Sequence, residues 1–265
     1  MPIKPYEELT IQDNFIFQKV MRNKRICKKT IERLLGIEVA DIKYPEEEKA
    51  IAVRVDSKGV RLDVYVNDEK GTVFNLEMQT TGSVDELTKR IRYYQAMIDI
   101  DLLEKGQSYS ALNDTYIIFI CSFPVFDGKL HKYTFREYCE ENFDIKLDDG
   151  TAKLFLSTKG TENDVDKPLQ DFLDYIDGKI TDDELVQEID SEVVTAKNRD
   201  EWRREYMTLE MEINRRELIA RDEGLAEGML KTLNALVQQK LITIADAAKQ
   251  ANMSVEAFTK AVAML

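Results

Sequence analysis

Acidic and polar side chains alternate with apolar ones in two neighbouring segments of the chain. Asp63 lies in the first segment, residues 60–66, and Glu77 lies in the second, residues 72–79. A turn-like stretch, residues 67–71, separates the two segments, and this combination predicts a β-hairpin. Asp63 and Glu77 are equally distant from the centre of the turn, so their carboxylates are expected to face each other across paired strands.

Two directly opposed carboxylates, with Cβ atoms about 5 Å apart, repel each other and lower stability. A hard divalent cation offsets that repulsion, because Mg²⁺ is usually bound by one or two carboxylates together with water and phosphate oxygens. Such an ion lowers the pKa of a bound water and stabilises the charge that develops on a phosphate under attack. The pair therefore predicts metal-dependent phosphate chemistry. The spacing alone is equally compatible with two acids on a solvated strand face that binds no metal.

Alternation with a period of two places further side chains on the same side of the hairpin. Arg61 is the partner expected for Gln79, and both share the face of Asp63 and Glu77. The opposite face is apolar and is expected to enter the core. It consists of Leu62, Val64, Val66, Phe74, Leu76 and Met78.

The segments on either side of the hairpin have helix and strand periodicity. Apolar residues recur at helical spacing over residues 11–35, and an amphipathic helix is predicted from Val84 to near Gly106. Residues 116–121 form a continuous apolar run that is typical of a strand covered on both faces. This order of helix, hairpin, helix and buried strand predicts an α/β sandwich built on a mixed sheet flanked by helices.

Two more strands are expected at residues 133–138 and 153–157, and helical patterns dominate after residue 164. We interpret residues 1–180 as the α/β domain and residues 181–265 as an acidic α-helical extension. The chain has a formal net charge of -13, but acidic and basic residues are equal in number over the first hundred residues. The acidic excess therefore belongs to the later part of the chain. Acidity of the whole chain does not favour a nucleic-acid partner unless positive charge is concentrated locally.

One local concentration of positive charge lies between residues 19 and 33. Seven basic residues occur there with a single acid, Glu32. This segment is either a patch that attracts phosphates or an ordinary solvated helix face. The basic residues are Lys19, Arg22, Lys24, Arg25, Lys28, Lys29 and Arg33.

Other features limit the class of protein. No apolar run approaches the roughly 20 residues that span a bilayer, so a cytoplasmic protein with no membrane partner is expected. The cysteines, three in number, are widely separated and form no CxxC pair, which disfavours a zinc site and a disulfide framework. His131 is the only histidine and is expected on the surface or in a loop.

The hairpin sequence resembles that of a known family. Residues 58–66 (KGVRLDVYV) and 74–79 (FNLEMQ) are similar to the core signature of the Rpn family of recombination-promoting nucleases and transposases, a branch of the PD-(D/E)XK nuclease superfamily. Other segments agree in the same order, so the resemblance covers residues 8–180 and extends into the helical extension. These segments are residues 9–15, 92–94, 106–109, 155–160 and 221–228.

The resemblance implies a PD-(D/E)XK nuclease-like α/β fold in which Asp63 and Glu77 bind Mg²⁺ or Mn²⁺. It also implies that Gln79 occupies the position at which most of the superfamily has a lysine. An amide can orient a water or a phosphate but cannot supply the positive charge of lysine. Arg61, the expected cross-strand neighbour of Gln79, is the candidate for supplying that charge.

Two further residues have two interpretations each. Asp13 matches the acid that the family places on its first helix, where it would contact metal or water, but it could equally cap a helix that begins near Asn14. Arg92 follows the catalytic strand on the next helix and could contact a substrate phosphate or simply be solvated. The nearby Tyr94 lies on the apolar stripe of that helix and is expected in the core.

Two functions remain in competition. The first is a Mg²⁺- or Mn²⁺-dependent endonuclease that acts on DNA in recombination or in mobile elements. The second is a non-catalytic protein that keeps the nuclease fold and binds protein partners through its acidic helical extension. A homodimer formed through that extension is compatible with either function. Metal-dependent cleavage separates them.

Overall fold

A computed structural model describes residues 4–43, 46–51 and 59–263. Lys58, the first residue of the signature, lies outside the described residues. The chain forms two compact units, Met1–Arg203 and Arg204–Leu265. The first unit contains the whole sheet, and the second consists of helices.

Among the described residues of the first unit, eight strands and five helices lie wholly within it, with short 3-10 helices at Tyr6–Glu8 and Tyr109–Ala111. The strands are β1 (Glu46–Ile51), β2 (Val60–Asn67), β3 (Val73–Gln79), β4 (Thr115–Cys121), β5 (Lys132–Phe135), β6 (Tyr138–Cys139), β7 (Asn142–Lys146) and β8 (Thr151–Ser157). The helices are α1 (Asn14–Met21), α2 (Lys24–Leu35), α3 (Val84–Leu102), α4 (Lys167–Ile176) and α5 (Glu184–Lys197).

Six strands form one mixed sheet in the order β1-β2-β3-β4-β8-β5. Strands β3, β4 and β8 run parallel, while β1 pairs antiparallel with β2, β2 with β3, and β5 with β8. A separate two-stranded sheet contains β6 and β7. This architecture confirms the mixed α/β sheet that the sequence predicts, including the two later strands.

The hairpin has the predicted register. Val64 pairs with Leu76 and Val66 pairs with Phe74. These pairs have the register in which Asp63 is expected opposite Glu77. Asp68 organises the turn, because its Oδ1 accepts hydrogen bonds from the backbone N–H groups of Lys70 and Thr72 at 2.9 and 2.8 Å. The register fixes which side chains of β2 and β3 can meet.

Helix α3 covers one face of the sheet. Its apolar residues pack in one cluster with Tyr65 and Val73 of the hairpin, Phe119 of β4 and Phe155 of β8. Tyr94 of α3 contacts Phe119 edge to face, with ring centroids 6.1 Å apart. The α3 residues in this cluster are Leu87, Ile91, Tyr94, Met97 and Ile98.

Helix α5 packs against α1 and α2, although it follows residue 180, the predicted end of the α/β domain. The N-terminal segment is tied to the same helix, because the Tyr6 hydroxyl donates to the Ala196 carbonyl at 2.9 Å. The apolar side chains of α5 are buried, as are those of a core helix. They are Leu185, Val186, Ile189, Val193 and Ala196.

The second unit contains most of α6 (Asp200–Gln238), together with α7 (Ile244–Gln250) and α8 (Val255–Val262). Helix α6 continues without interruption through Gly224 and Gly228. A small apolar cluster closes the unit around Leu233 and Phe258. Across the described part of the chain, no helix combines the length and apolar character needed to cross a membrane.

Candidate active site

The two hairpin acids lie where the pairing of β2 with β3 ends. The last paired residues on this side are Val64 and Leu76. Beyond them the carboxylates replace backbone acceptors. Glu77 Oε1 accepts from the Asp63 backbone N–H at 3.0 Å, and Asp63 Oδ2 accepts from the Met78 backbone N–H at 3.2 Å. Each carboxylate therefore lies against the strand that carries the other.

Both acids are buried, in contrast to the solvated face that the sequence alone allowed. The exposed fraction is 8% for Asp63 and 2% for Glu77. Burial raises the pKa of the Asp63 carboxyl group, and hydrogen bonds from Met78 and Gln18 only partly oppose that change. Burial also raises the pKa of the Glu77 carboxyl group, and the neighbouring Asp63 charge raises it further. The apo protein thus pays a cost for holding both negative charges.

Helix α1 supplies amide groups to Asp63. Gln18 Nε2 donates to Asp63 Oδ1 at 3.2 Å, and Asn14 Nδ2 lies 3.4 Å from the same oxygen. Gln18 is buried, whereas Asn14 is exposed at the start of the helix. The first turn of α1 is therefore the border between the buried acids and solvent.

Asp13 precedes α1 but is held by other groups. Its carboxylate accepts from the Thr10 backbone N–H at 2.8 Å and from Lys4 Nζ at 2.9 Å. It occupies the cap position of α1 without a side-chain hydrogen bond to that helix. The cap is thus positional only, and a role for Asp13 toward metal or water stays a prediction.

Arg90 of α3 contacts one of the two acids, Glu77. Its guanidinium lies 3.4 Å from Glu77 Oε2 and 5.1 Å from the ring centroid of Phe119. Sequence reasoning selected Arg92 instead, and the structure leaves Arg92 exposed on the same helix. A signal for Arg90 was present, because it lies four residues before Tyr94 and so belongs to the buried stripe of the helix.

Arg61 and Gln79 complete the predicted set. Arg61 is exposed at the start of β2, and its charge still lowers the pKa of the Asp63 carboxyl group. Gln79 is buried at the end of β3, where it pairs with Cys121 of β4. The roles assigned to Arg61, Arg92 and Gln79 stay predictions.

Two residues near the acids were not anticipated from the sequence. Gln18 is a polar residue within the apolar sequence of α1, and this could have marked it. Asn75 Nδ2 donates to Glu77 Oε1 at 3.2 Å, while among the described residues its buried Oδ1 has no hydrogen-bond partner. Neither residue has a spacing that sequence patterns connect with chemistry.

The donor set fits a hard divalent cation. It consists of carboxylate oxygens from Asp63 and Glu77, whose buried negative charges lack full compensation. The amide oxygen of Asn75 has no hydrogen-bond partner among the described residues, and the nitrogen of the same amide donates to Glu77. In the described residues no group of three or more His, Cys, Asp or Glu side chains could hold a metal. Two carboxylates with water and phosphate oxygens are the pattern that Mg²⁺ commonly uses.

The basic segment on α2 is largely neutralised by carboxylates. Glu188 of α5 lies 2.6 Å from Arg25 and 2.9 Å from Lys29, and Asp183 pairs with Arg33. Lys24 and Lys28 pair with other acids. The structure therefore gives this segment the character of an ion-paired helix surface.

His131 lies in a bend before β5, one of the two positions expected for it, and it is buried rather than on the surface. Its Nδ1 is 2.9 Å from Asp164 Oδ1, and its backbone N–H donates to the same carboxylate. Gly160 packs so closely that a Cβ there would lie 2.5 Å from the imidazole. Asp164 and Gly160 thus enclose the imidazole of His131. This residue is also distant in sequence from the hairpin acids.

Comparison with known proteins identifies one family. The model for PD-(D/E)XK nuclease family transposases matches residues 14–157, which is more than half of the chain. The matched segment begins at the first residue of α1, ends at the last residue of β8, and includes both acids. No curated protein and no solved structure matches the chain at a significant level.

Proposed function

Since the chain belongs to the PD-(D/E)XK nuclease family transposases, we propose that it is a Mg²⁺- or Mn²⁺-dependent endonuclease that hydrolyses phosphodiester bonds of DNA in recombination or transposition. Family membership supports a nuclease-like function associated with transposition. The observation that carries the finer proposal is the buried pair of Asp63 and Glu77 at the point where β2 and β3 separate.

Asp63 and Glu77 would hold the metal ion. When bound, such an ion lowers the pKa of a coordinated water and stabilises charge on the phosphate. Its charge would also compensate two carboxylates that burial and mutual repulsion disfavour in the apo protein. The protein contribution is to keep both carboxylates fixed, through amides from α1 and backbone N–H groups from the opposite strand.

The remaining polar groups would act on the water and the phosphate. Gln79 would orient one of them through its amide, without supplying charge. Arg90 contacts Glu77 and would keep that carboxylate in position while adding positive charge to the site. Arg61 and Arg92 are exposed and would approach the DNA backbone from solvent.

The test is cleavage of supercoiled plasmid DNA with Mg²⁺, with Mn²⁺ and with chelator. Wild-type protein is expected to nick or linearise the plasmid only with metal, and Asp63→Ala and Glu77→Ala are expected to lose that activity. Asp85→Ala is a matched control, because it removes an exposed carboxylate from the first turn of α3. Equal cleavage by the Asp63→Ala variant would reject the proposed site.

A non-catalytic role is the competing function. The observation that favours it is the apolar surface of α6, where Met211, Leu218 and Leu225 are exposed at intervals of seven residues. Such spacing is typical of a helix face that associates with another helix. A protein that lacks cleavage with either metal but still associates through α6 would support this role.

A further inference from the structure

Five large apolar side chains form one exposed row along α6. Their exposed fractions range from 42% for Met229 to 64% for Met211. An α-helix turns by about 100° per residue, so all five side chains lie within roughly 40° of one another around the helix axis. We call these residues the apolar row. They are Met207, Met211, Leu218, Leu225 and Met229.

Every residue in the middle of α6, from 214 to 229, is exposed. A helix without tertiary contacts is marginal in water, because most helical stability in proteins comes from packing of an apolar face. Gly224 and Gly228 weaken this segment further, since glycine is a poor helix former. In the described part of the chain, a Cβ on either glycine would meet no atom within 4 Å outside the adjoining helix backbone. Contact with another helix would therefore stabilise a segment that the chain itself leaves exposed.

The spacing of the apolar row is symmetric about Leu218. Met211 and Leu225 are each seven residues from Leu218, and Met207 and Met229 are each eleven residues from it. In an antiparallel pair of α6 helices with the two Leu218 side chains opposed, every member of the row faces another apolar side chain. Met207 faces Met229 of the second copy, and Met211 faces Leu225. A two-fold dimer requires this self-complementarity, because the same surface of both subunits forms the interface.

Charged side chains beside the apolar row favour the antiparallel orientation. In that orientation Arg215 lies beside Asp222 of the second copy, and two-fold symmetry gives the contact twice. In a parallel pair, Arg221 would face Arg221 of the second copy, and Glu217 would face Asp222. Like charges opposed across an interface select against such a pair. Within the single chain Arg215 pairs with Glu212, but exposed pairs of this kind contribute little and can be exchanged.

We propose that α6 is a dimerisation helix, which pairs antiparallel with α6 of a second copy of this chain through the apolar row. The occupant is a second copy because the row matches itself in spacing and its borders match each other in charge. From Met207 to Met229 the row spans about 33 Å at about 1.5 Å per residue, a length of about three heptads. The inference is independent of cleavage, since it uses no residue of the first unit.

Analytical ultracentrifugation of the full-length chain tests the dimer. Wild type is expected to sediment as a dimer in equilibrium with monomer. Leu218→Glu opposes two like charges at the symmetry axis, so the dissociation constant should rise by about 100-fold or more. Ile219→Glu is the matched control, because Ile219 is 46% exposed on the same helix but lies outside the row. A monomeric wild type, or equal dimerisation of both variants, would overturn the proposal.

Thiol cross-linking tests the orientation of the two helices. In a Cys139→Ser background the remaining native cysteines, Cys27 and Cys121, are buried. A short bifunctional maleimide should link Met211→Cys to Leu225→Cys when the two variants are mixed, and should link neither variant to itself. Linkage of Met211→Cys to itself would indicate a parallel pair and overturn the proposed register. A dimer that gives no linkage in the mixture would place the interface elsewhere and overturn the role of α6.

Failure of this inference differs from failure of the proposed function. Asp63→Ala should dimerise as wild type does while failing to cut a plasmid. Metal-dependent cleavage by a wild type that stays monomeric would overturn the dimer alone. A dimer that cleaves with no metal would keep the inference and reject the proposed nuclease in favour of the competing role.

Discussion

Two buried carboxylates with raised pKa values make the apo site a source of instability. Glu77→Gln removes one charge and keeps an oxygen that can accept from the Asp63 backbone N–H. We expect the free energy of unfolding in chelator to rise by about 1.4 kcal/mol, the equivalent of one pKa unit, while cleavage is lost. Urea unfolding monitored by circular dichroism measures the first effect. A large loss of apo stability would instead assign Glu77 a structural role.

The same pair predicts a pH dependence of stability. Folding raises both pKa values, so the native protein holds more protons than the unfolded chain above the ordinary carboxyl range near pH 4. The free energy of unfolding in chelator should therefore fall as the pH rises above the ordinary carboxyl range. The fall should be smaller in Glu77→Gln. Unfolding curves of both proteins from about pH 5 to pH 8 isolate the contribution, because other groups cancel in the difference. The same dependence of stability on pH in wild type and Glu77→Gln would contradict a raised pKa of Glu77.

The charge that Gln79 lacks can be located by mutation. Arg90 contacts Glu77, whereas Arg61 is exposed, so Arg90→Ala is expected to lose more cleavage rate than Arg61→Ala. Removing one preorganised stabilising group typically costs about 10²- to 10³-fold in rate. Gln79→Lys should restore part of the loss in either background, since lysine is the residue that most of the superfamily has there.

Lys89→Ala provides the matched control for these arginine variants, because it removes an exposed cation from the same helix as Arg90. Full activity in Arg90→Ala would exclude that side chain from the mechanism. Failure of Gln79→Lys to rescue an inactive arginine variant would leave the idea of charge substitution without support.

The alternation of side chains along the two strands predicted the site residues whose positions depend only on the hairpin. Asp63 and Glu77 are equally distant from the turn, and the observed pairing of Val64 with Leu76 has the register that this symmetry requires. The partners of the acids come from elsewhere in the chain. Gln18 and Arg90 reach the acids from helices 45 and 13 residues away. No periodicity within a segment specifies such contacts, and burial of the acids follows from them.

At the scale of elements, α5 determines the surface that α2 presents. Glu188 neutralises Arg25 and Lys29, and Asp183 neutralises Arg33. The sequence could not separate an exposed basic patch from an ion-paired face, because the compensating acids lie about 150 residues later in the chain. Hydrophobic periodicity identified α2 and α5 as helices, but not their contact.

Loss of the ion pairs that Glu188 makes with Arg25 and Lys29 should increase binding to DNA. Glu188→Gln leaves Arg25 and Lys29 without their carboxylate partner, so affinity for duplex DNA in chelator should rise. The dependence of affinity on salt should steepen by about one to two in log-log slope, since each contacted phosphate contributes close to one. Glu223→Gln in α6 is the matched control, because it makes the same charge change at an exposed position. An equal rise in both variants would mean that only net charge matters.

At the scale of the whole molecule, the sheet and the helices around it form one compact unit that ends at Arg203. Sequence patterns suggested an earlier boundary at residue 180, because the signals become purely helical in that region. A change of secondary structure is a weak guide to a domain boundary when a later helix supplies part of the core. We propose that the nuclease domain includes α5.

Truncation tests where the domain ends. A chain ending after residue 180 lacks α5 and exposes the surface of α1 and α2 that five buried side chains of α5 cover. Each such side chain contributes about 1.5 to 3 kcal/mol for large apolar residues, and a domain has only about 5 to 15 kcal/mol in total, so this chain should not fold cooperatively. A chain ending after residue 203 keeps the contact and should show a cooperative thermal transition and metal-dependent cleavage near the full-length rate. Equally cooperative melting of both truncations would place the boundary at residue 180 and make α5 an accessory helix.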